Sequence, residues 1–474
     1  MPIDTLHPEY ELRKPEWVKC RDAYGGATPV KAATTTYLPW TEANPDKEEY
    51  DDYLIRAVWY DAMERTVNGL AGAVTRKETS FEVPESMKAD MEDVTLSGVT
   101  FDAFVGLVLQ EQLTPGRLAV EVAYPITDGA RPYWNLWTAE SLINWSTMRI
   151  DGVMTLVWAI LEEPAPKADR DPYSHETEPR FRELMLVDPR GDKYYAQRIW
   201  TKRKADGKEV WIPDAPIIPT RRGSRLNKIP LTIINASNTE VGAEKPPLLG
   251  LADQNFAHYR NSADYETAVS RIKPIYTFFG VPVGQKIILG SKRAVTSEDH
   301  DAKGSILQGA DPIGLEKAMA SKVAYMATLG GRMLESTPSQ AETLGAVKMR
   351  HTGEQSSLRV VAQTMAQGMT LVLKDHADWV GADPEDIEVT PNLDYIDATL
   401  TPEQALAYMT LQQNSMISYA TFYYLLQGGE LTRPGIDAET EQEDIENDQD
   451  GDLQARSADT AAGLEAAQRI QDGD

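Results

Sequence analysis

Apolar positions recur along this chain with periods that predict its elements. Between residues 246 and 273, Ala252, Phe256, Tyr259 and Ala263 follow one another at steps of four, three and four, which lays one apolar or small stripe along a helix. Pro274 stops it. Asp253, Asn255, His258, Arg260 and Asp264 fill the other faces, the pattern of a surface helix with a solvated polar side. A second helix is predicted over 314–336, about 35 Å long at 1.5 Å per residue. Leu315, Met319, Val323, Met326, Gly330 and Met333 form its stripe, read as core packing, with Lys317, Ser321, Ala324, Thr328, Arg332 and Glu335 along another face. Pro338 interrupts the pattern, and a long helical segment then runs to Val380 on Leu358, Val361, Met365, Val372, His376 and Trp379. Gly345 and Gly353 weaken its first half and predict a kink.

The first 245 residues mix both periods. Helical patterns over 48–72 and 101–113 precede aromatic and β-branched runs at 118–123, 133–137, 155–161, 184–187 and 194–200, with loops at 164–179 and 213–225. That succession predicts an α+β layer. Residues 274–313 read as a strand-and-turn insertion with a charged, exposed run over 291–303. Residues 388–398 read as a strand, and 402–416 and 419–427 as helices, the second ended by Gly428 and Gly429.

Composition narrows the class. At 474 residues, 42% hydrophobic and 25% charged, the chain can bury more than one core. No apolar run approaches the roughly 20 residues that cross a bilayer, so neither membrane insertion nor secretion is expected. The single cysteine, Cys20, has no partner for a disulfide and suits a reducing compartment. Net charge is −26. Residues 435–474 hold thirteen acidic side chains against Arg456 and Arg469, which predicts a disordered acidic tail. A surface this negative attaches weakly to nucleic acid.

Catalytic patterns are missing from the sequence. Residues 284–292 (GQKIILGSK) fail the phosphate-loop spacing by one residue and carry Ser291 where the lysine belongs. His7, His175, His258, His300, His351 and His376 fall in no zinc spacing, and no Gly-x-Ser-x-Gly turn occurs. Glu446, Asp448, Asp450 and Gly451 imitate half of a calcium loop, but Ser457 stands where the bidentate Glu should close it. No metal, no cofactor and no enzymatic activity are expected.

Six blocks in order resemble a family of tailed-bacteriophage portal proteins first catalogued as a domain of unknown function. They are residues 57–77 (AVWYDAMERTVNGLAGAVTRK), 97–125 (SGVTFDAFVGLVLQEQLTPGRLAVEVAYP), 131–145 (RPYWNLWTAESLINW), 246–280, 329–334 (LGGRML) with 340–358 (QAETLGAVKMRHTGEQSSL), and 379–381. The last 40 or so residues carry no match. The resemblance implies an α+β ring subunit with this layout: an N-terminal wing (1–245), a first stem helix (246–273), a small α/β clip (274–313) and a second stem helix (314–336). A tunnel loop, long kinked helix and return strand (337–400), a helical crown (401–448) and the acidic tail (449–474) would complete it.

It further implies a homododecameric ring at one capsid vertex, through which double-stranded DNA is packaged, retained and ejected. Partners would be the terminase large subunit, major capsid and scaffolding proteins, and head-completion or adaptor proteins. Arg332, Ser336, Thr337, Ser339, Gln340, Glu342, Lys348 and Arg350 are the expected channel residues. Lys292, Arg293, Glu298, Asp299 and Lys303 are the expected docking residues of the clip. The alternative is a nuclease or protease of phage head assembly, disfavoured because no catalytic or metal motif is found.

Overall fold

A computed structural model of the chain describes residues 2–40, 46–123, 131–167, 171, 173–205, 208–221, 223–272, 275–280, 301–307, 311–331, 344–393, 402–414, 416–428, 432 and 436–445. Of 204, 205, 208, 271, 275, 307, 331, 344–356, 402–405 and 428 it describes the backbone alone. The chain divides into two units, Met1–Leu393 and Asp394–Asp474.

The first unit is α+β. Its helices are α1 (Pro8–Tyr24), α2 (Ala27–Ala32), α3 (Lys47–Arg56), α4 (Ala62–Val74), α5 (Glu85–Lys88), α6 (Phe101–Leu113), α7 (Leu249–Arg271), α8 (Ile313–Met326) and α9 (Leu344–Val380). The strands are β1 (Ser80–Glu82), β2 (Arg117–Ala123), β3 (Tyr133–Thr138), β4 (Leu142–Ile150), β5 (Val153–Pro166), β6 (Thr177–Val187), β7 (Tyr194–Ala205), β8 (Lys208–Pro213), β9 (Thr220–Arg221), β10 (Ser224–Arg225), β11 (Leu231–Asn235), β12 (Ile275–Phe279), β13 (Lys303–Leu307) and β14 (Glu388–Thr390). All pairings are antiparallel: β11-β2-β3, the meander β4-β5-β6-β7-β8, and the pairs β1-β14, β9-β10 and β12-β13.

The core forms where α6 and α9 pack on β2 and β11. Strand β2 is buried on both faces over six of its seven residues, Arg117 and Glu121 among them: Arg117 donates to the Val241 carbonyl and Glu121 accepts from the Trp137 indole. Thr100 caps α6 by accepting from the Ala103 amide, and Phe101, Phe104, Val105, Val108 and Leu109 bury one side of that helix. Helix α9 buries the expected stripe of Leu358, Val361, Met365, Val372, His376 and Trp379. It approaches β11 so closely at Gly368 that a Cβ there would lie 2.5 Å from Ile234 Cδ1. Two buried polar contacts fix its far end: Trp379 donates to the Val122 carbonyl at 3.0 Å, and His376 sits between Trp134 and Asp90. Another clamp ties α1 to α6, where Arg21 forks both Glu111 and Glu140 at 2.6–2.9 Å.

Several expectations are corrected. The helix predicted over 48–72 is two helices, because residues 57–61 are pulled out of helical pairing by α7: Ser262 bonds both backbone groups of Val58, and Asn255 accepts from Met63 N and donates to Tyr60 O. The polar side of α7 is therefore solvated only in part: Asp253, Arg260 and Asp264 are exposed as expected, whereas Asn255, His258 and Ser262 are buried. The loops predicted at 164–179 and 213–225 shrink, since β5 reaches Pro166, β6 starts at Thr177, and β9 and β10 form a small hairpin.

The helix predicted over 314–336 runs as α8 only to Met326. A π turn follows over Ala327–Gly331, and Gly330 at φ 116° leaves helical space altogether. Among the described residues of the stripe predicted there Met326 is buried, whereas Leu315, Met319 and Val323 are half-buried; Met333 lies outside the described residues. Helix α9 passes Gly353 without interruption where a kink was predicted. Strand β14 ends at Thr390, shorter than predicted, and 394–398 lie outside the described residues. Helix α1, which sequence reasoning missed, starts at Pro8 with His7 accepting from the Glu9 amide and buries Tyr10, Trp17, Cys20 and Ala23.

The second unit contains α10 (Pro402–Gln413) and α11 (Tyr419–Gly428), close to the helices predicted there. Tyr423 is buried and donates to the Ile436 carbonyl at 3.2 Å. The acidic tail 449–474 lies outside the described residues.

Candidate functional site: the paired helices and their ribbon

Helix α7 has two unlike halves. From Leu249 to Ala263 it is wedged among α1, α3 and α4, with Phe256 stacked on Tyr37 at 4.0 Å and Tyr259 edge-on to Trp59 at 5.7 Å. Burial pushes the Tyr259 hydroxyl up to about 12 and holds His258 below its ordinary value, with Lys322 of α8 adding to the second effect. Lys19 and Tyr53 reach across to Asp253 and Asp264 at 2.9 and 2.7 Å. These contacts fix the base of the helix to the body.

Beyond Ala263 the anchoring stops. Among described side chains none is buried in the rest of α7, in the β12-β13 ribbon, or in α8 before Met326. Yet the segment is not polar. Val269, Tyr276, Phe279, Ile306, Ile313 and Tyr325 are exposed large apolar groups, Phe279 and Ile306 at 67% and 61%. In the ribbon, Tyr276 lies opposite Ile306 on one face, while Thr277 and Ser305 join hydroxyls at 2.6 Å on the other. A two-stranded ribbon is marginal alone, and among the described residues neither of its outer edges pairs with another strand.

At the base, the π turn returns the chain to the body against α4 and α7. Gly330 is required there: its φ of +116° excludes most side chains, and a Cβ would already touch Thr66 Cγ2 at 3.5 Å.

Of the predicted docking residues, Lys303 opens β13 opposite Phe279 and is exposed, whereas Lys292, Arg293, Glu298 and Asp299 lie outside the described residues. Of the predicted channel residues, Arg332, Ser336, Thr337, Ser339, Gln340 and Glu342 also lie outside them. Lys348 and Arg350 fall on the first turns of α9, where the backbone alone is described. The features that sequence reasoning missed are the Asn255 and Ser262 tethers and the π turn. Only the off-pattern polar residues on a small-residue helix hinted at the tethers.

Among the described residues no group of three His, Cys, Asp or Glu side chains is placed to hold a metal ion. Cys20 is buried, with its thiol pushed up to about 12 by burial and then by Asp253, so it is not a thiolate nucleophile at neutral pH. No helix among the described residues is long and apolar enough to cross a membrane.

The site is thus a helix–ribbon–helix projection on an α+β body, and comparison with known proteins meets the chain at this segment. Residues 247–380, which span α7, the ribbon, α8 and α9, match the family described as Domain of unknown function (DUF4055). No curated protein matches. Among solved structures, a chain from the virion of the native gene transfer agent (GTA) particle is similar at 12% identity and TM-score 0.42, over 84% of this chain and 98% of that one. A chain from the neck of the empty GTA particle computed with C6 symmetry gives 13% and 0.42, over 85% and 98%. One from the neck of the native particle computed with C12 symmetry gives 13% and 0.41, over 79% and 92%. Overlaps this loose leave the functional argument to the chain itself.

Proposed function

We propose that the chain is a structural subunit of a tailed-phage particle, and specifically the portal: a homo-oligomeric ring, dodecameric by family resemblance, that conducts double-stranded DNA through one capsid vertex. The observation that carries this reading is the unfinished α7–ribbon–α8 projection. Its apolar groups are exposed and its strands pair only with each other among the described residues, and successive copies around a ring would cover them on both sides. The sequence blocks that resemble portals occur in the same order as these elements, and the DUF4055 match spans them.

In this reading α7 and α8 are the stem and the ribbon is the base of the clip that docks the terminase large subunit and later the head-completion proteins. The segment 336–345 is the tunnel loop facing DNA, with Lys348 and Arg350 close behind. The body meets capsid and scaffolding proteins. No covalent step is required.

Light scattering after size-exclusion chromatography tests the proposal. The portal reading predicts a particle of roughly twelve times the 52.6 kDa subunit mass. It also predicts that Phe279→Asp with Ile306→Asp shifts the protein toward smaller species while the circular dichroism of the subunit is kept. A monomer or dimer at micromolar concentration in the wild type would overturn it.

A further inference from the structure

The acidity of this chain is not uniform. Residues 190–228 hold eleven Lys and Arg against four Asp and Glu, within a protein of net charge −26. They build β7, β8 and the β9-β10 hairpin. The register places Tyr194, Arg198, Trp200 and Lys202 on one face of β7, with Glu183 opposite Arg198 and Trp211 opposite Lys202.

The other face is the inner one: Leu184 and Tyr195 are buried there, and Arg182 of the same face lies over the Trp137 ring of β3. On the outward face three cations lie over three aromatic rings in a row. Arg225 stands 4.5 Å from the Tyr194 centroid, Arg198 5.0 Å from Trp200, and Lys202 5.1 Å from Trp211.

Three carboxylates stand along this row, one of them Asp4, which accepts from the Trp211 indole at 3.2 Å beside Lys202. Glu183 takes Arg198 together with the Trp158 and Trp200 indoles, and Asp214 takes Arg203. Lys202 and Arg225 have no carboxylate in ion-pair contact among the described residues, and both are exposed. At the Arg225 end the row opens into a cavity of about 380 Å³, with Arg221, Ser224, Asn227 and Lys228 in its wall. Asp378 of α9 shares that wall and pairs Lys228 at 2.9 Å and Arg221 at 3.5 Å. From Tyr194 to Lys202 the row extends about 27 Å at ~3.3 Å per residue.

We propose that this outward face of the β4–β8 meander, from the Arg225–Tyr194 pair to the Lys202–Trp211 pair, docks the phosphate backbone of duplex DNA outside any channel. The row spans the axial rise of about eight base pairs at 3.4 Å each, over which a duplex turns only part of one strand's phosphates toward a single face. Side chains repeating along one face of a strand supply cations in line, and the ring stacking holds them at fixed positions, which lowers the ordering cost of each phosphate contact. The hydroxyl of Ser224 and the amide of Asn227 add neutral donors of the kind that position a phosphate. The proposal rests on the DNA-handling role proposed above, but it concerns a different surface from the ribbon and the tunnel segment.

The experiment is fluorescence anisotropy with a labelled 24-base-pair duplex and the full chain, wild type against Arg198→Gln/Lys202→Glu/Arg225→Glu, at 50 and 200 mM salt. Light scattering on the same samples reads assembly independently, so failure of the ring and failure of this surface are separate results. Three to four neutralised phosphates give a log–log salt slope near −3, a loss of roughly 60-fold between the two salts for the wild type. The triple variant is expected to bind more than tenfold more weakly at 50 mM with unchanged assembly, and a control reversal of Lys14, Lys47 and Lys88 to bind as the wild type does. Equal binding by wild type and triple variant, or an equal loss in the control, would overturn the proposal. So would displacement of the duplex by polyglutamate at matched charge, which would make the surface a dock for an acidic polypeptide.

Discussion

Gly368→Ala is a one-methyl perturbation whose cost follows from two competing magnitudes. Alanine would normally stabilise a helix interior over glycine by about 1 kcal/mol. Here the new methyl would lie 2.5 and 2.6 Å from Cδ1 and Cγ1 of Ile234 and 3.2 Å from its Cγ2. Carbon contacts are comfortable near 3.5–4.0 Å, so two of the three atoms are overlapped by about 1 Å. Neither partner can yield easily: Ile234 is fully buried in β11, and α9 is held along its length by buried side chains and by the Trp379 and His376 hydrogen bonds. Overpacking of this kind costs about 1–3 kcal/mol, and the larger end applies where the neighbour is branched and enclosed. The net expectation is destabilisation by about 1–2 kcal/mol.

Urea denaturation read by tryptophan fluorescence measures it as a lowered midpoint with unchanged slope. Ile234→Ala alone should cost about 2–4 kcal/mol, yet in the Gly368→Ala background it should cost at least 1 kcal/mol less, because the cavity receives the methyl. A Gly368→Ala protein as stable as wild type or more so, or an additive double mutant, would refute the claim that α9 and β11 meet at this residue.

Three other outcomes are expected. Trp134 can only donate, so His376 Nδ1 accepts at 3.2 Å and its Nε2–H faces Asp90 at 2.9 Å; burial depresses the imidazole pKa, with Asp90 opposing. Because the depressed folded value lies below the ordinary 6.5, stability is full above pH ~6.5 and is lost as pH falls through the folded value; His376→Gln should remove up to about 1.4 kcal/mol per pH unit of that acid slope in denaturation series. Asn255→Ala leaves Met63 N without its acceptor, while Tyr60 O keeps the Ala62 amide at 2.7 Å, and should cost about 1–3 kcal/mol by the same denaturation assay; Asn255→Asp, which keeps the acceptor for Met63 N, should cost less. Deleting 337–342 should spare ring formation on light scattering but lower packaged-genome yield, and normal packaging would sink its assignment as the tunnel loop.

Periodicity revealed the elements that bury a continuous stripe. The stripes on α6, α7 and α9 were readable because each packs one face on a body made by the same chain. The break at 57–61 was not, since it is held by Asn255 and Ser262 nearly two hundred residues away, and local apolar spacing is the same with or without it. Helix α1 hid behind Pro8 and Pro15, although Pro8 starts the helix where its missing amide does no harm.

Helix α8 misled for a different reason. Leu315, Met319 and Val323 have helical spacing but no core to fill in a single copy, so a stripe that reads as core is the same stripe that would meet a neighbour. The charge count likewise averaged away the cations of 190–228 against an acidic remainder. Channel-facing residues depend on the arrangement of copies, a property that no single-chain pattern encodes.

The central claim is that copies of this chain close into a ring on the α7–ribbon–α8 projection. Electron cryomicroscopy of the purified wild-type protein tests it most directly. The account predicts closed rings, twelve-fold in class averages, with an axial channel wide enough for duplex DNA, α7 and α8 of successive copies side by side, and Phe279, Ile306 and Tyr325 buried between them. Isolated monomers, or an assembly that leaves those three residues in solvent, would contradict it.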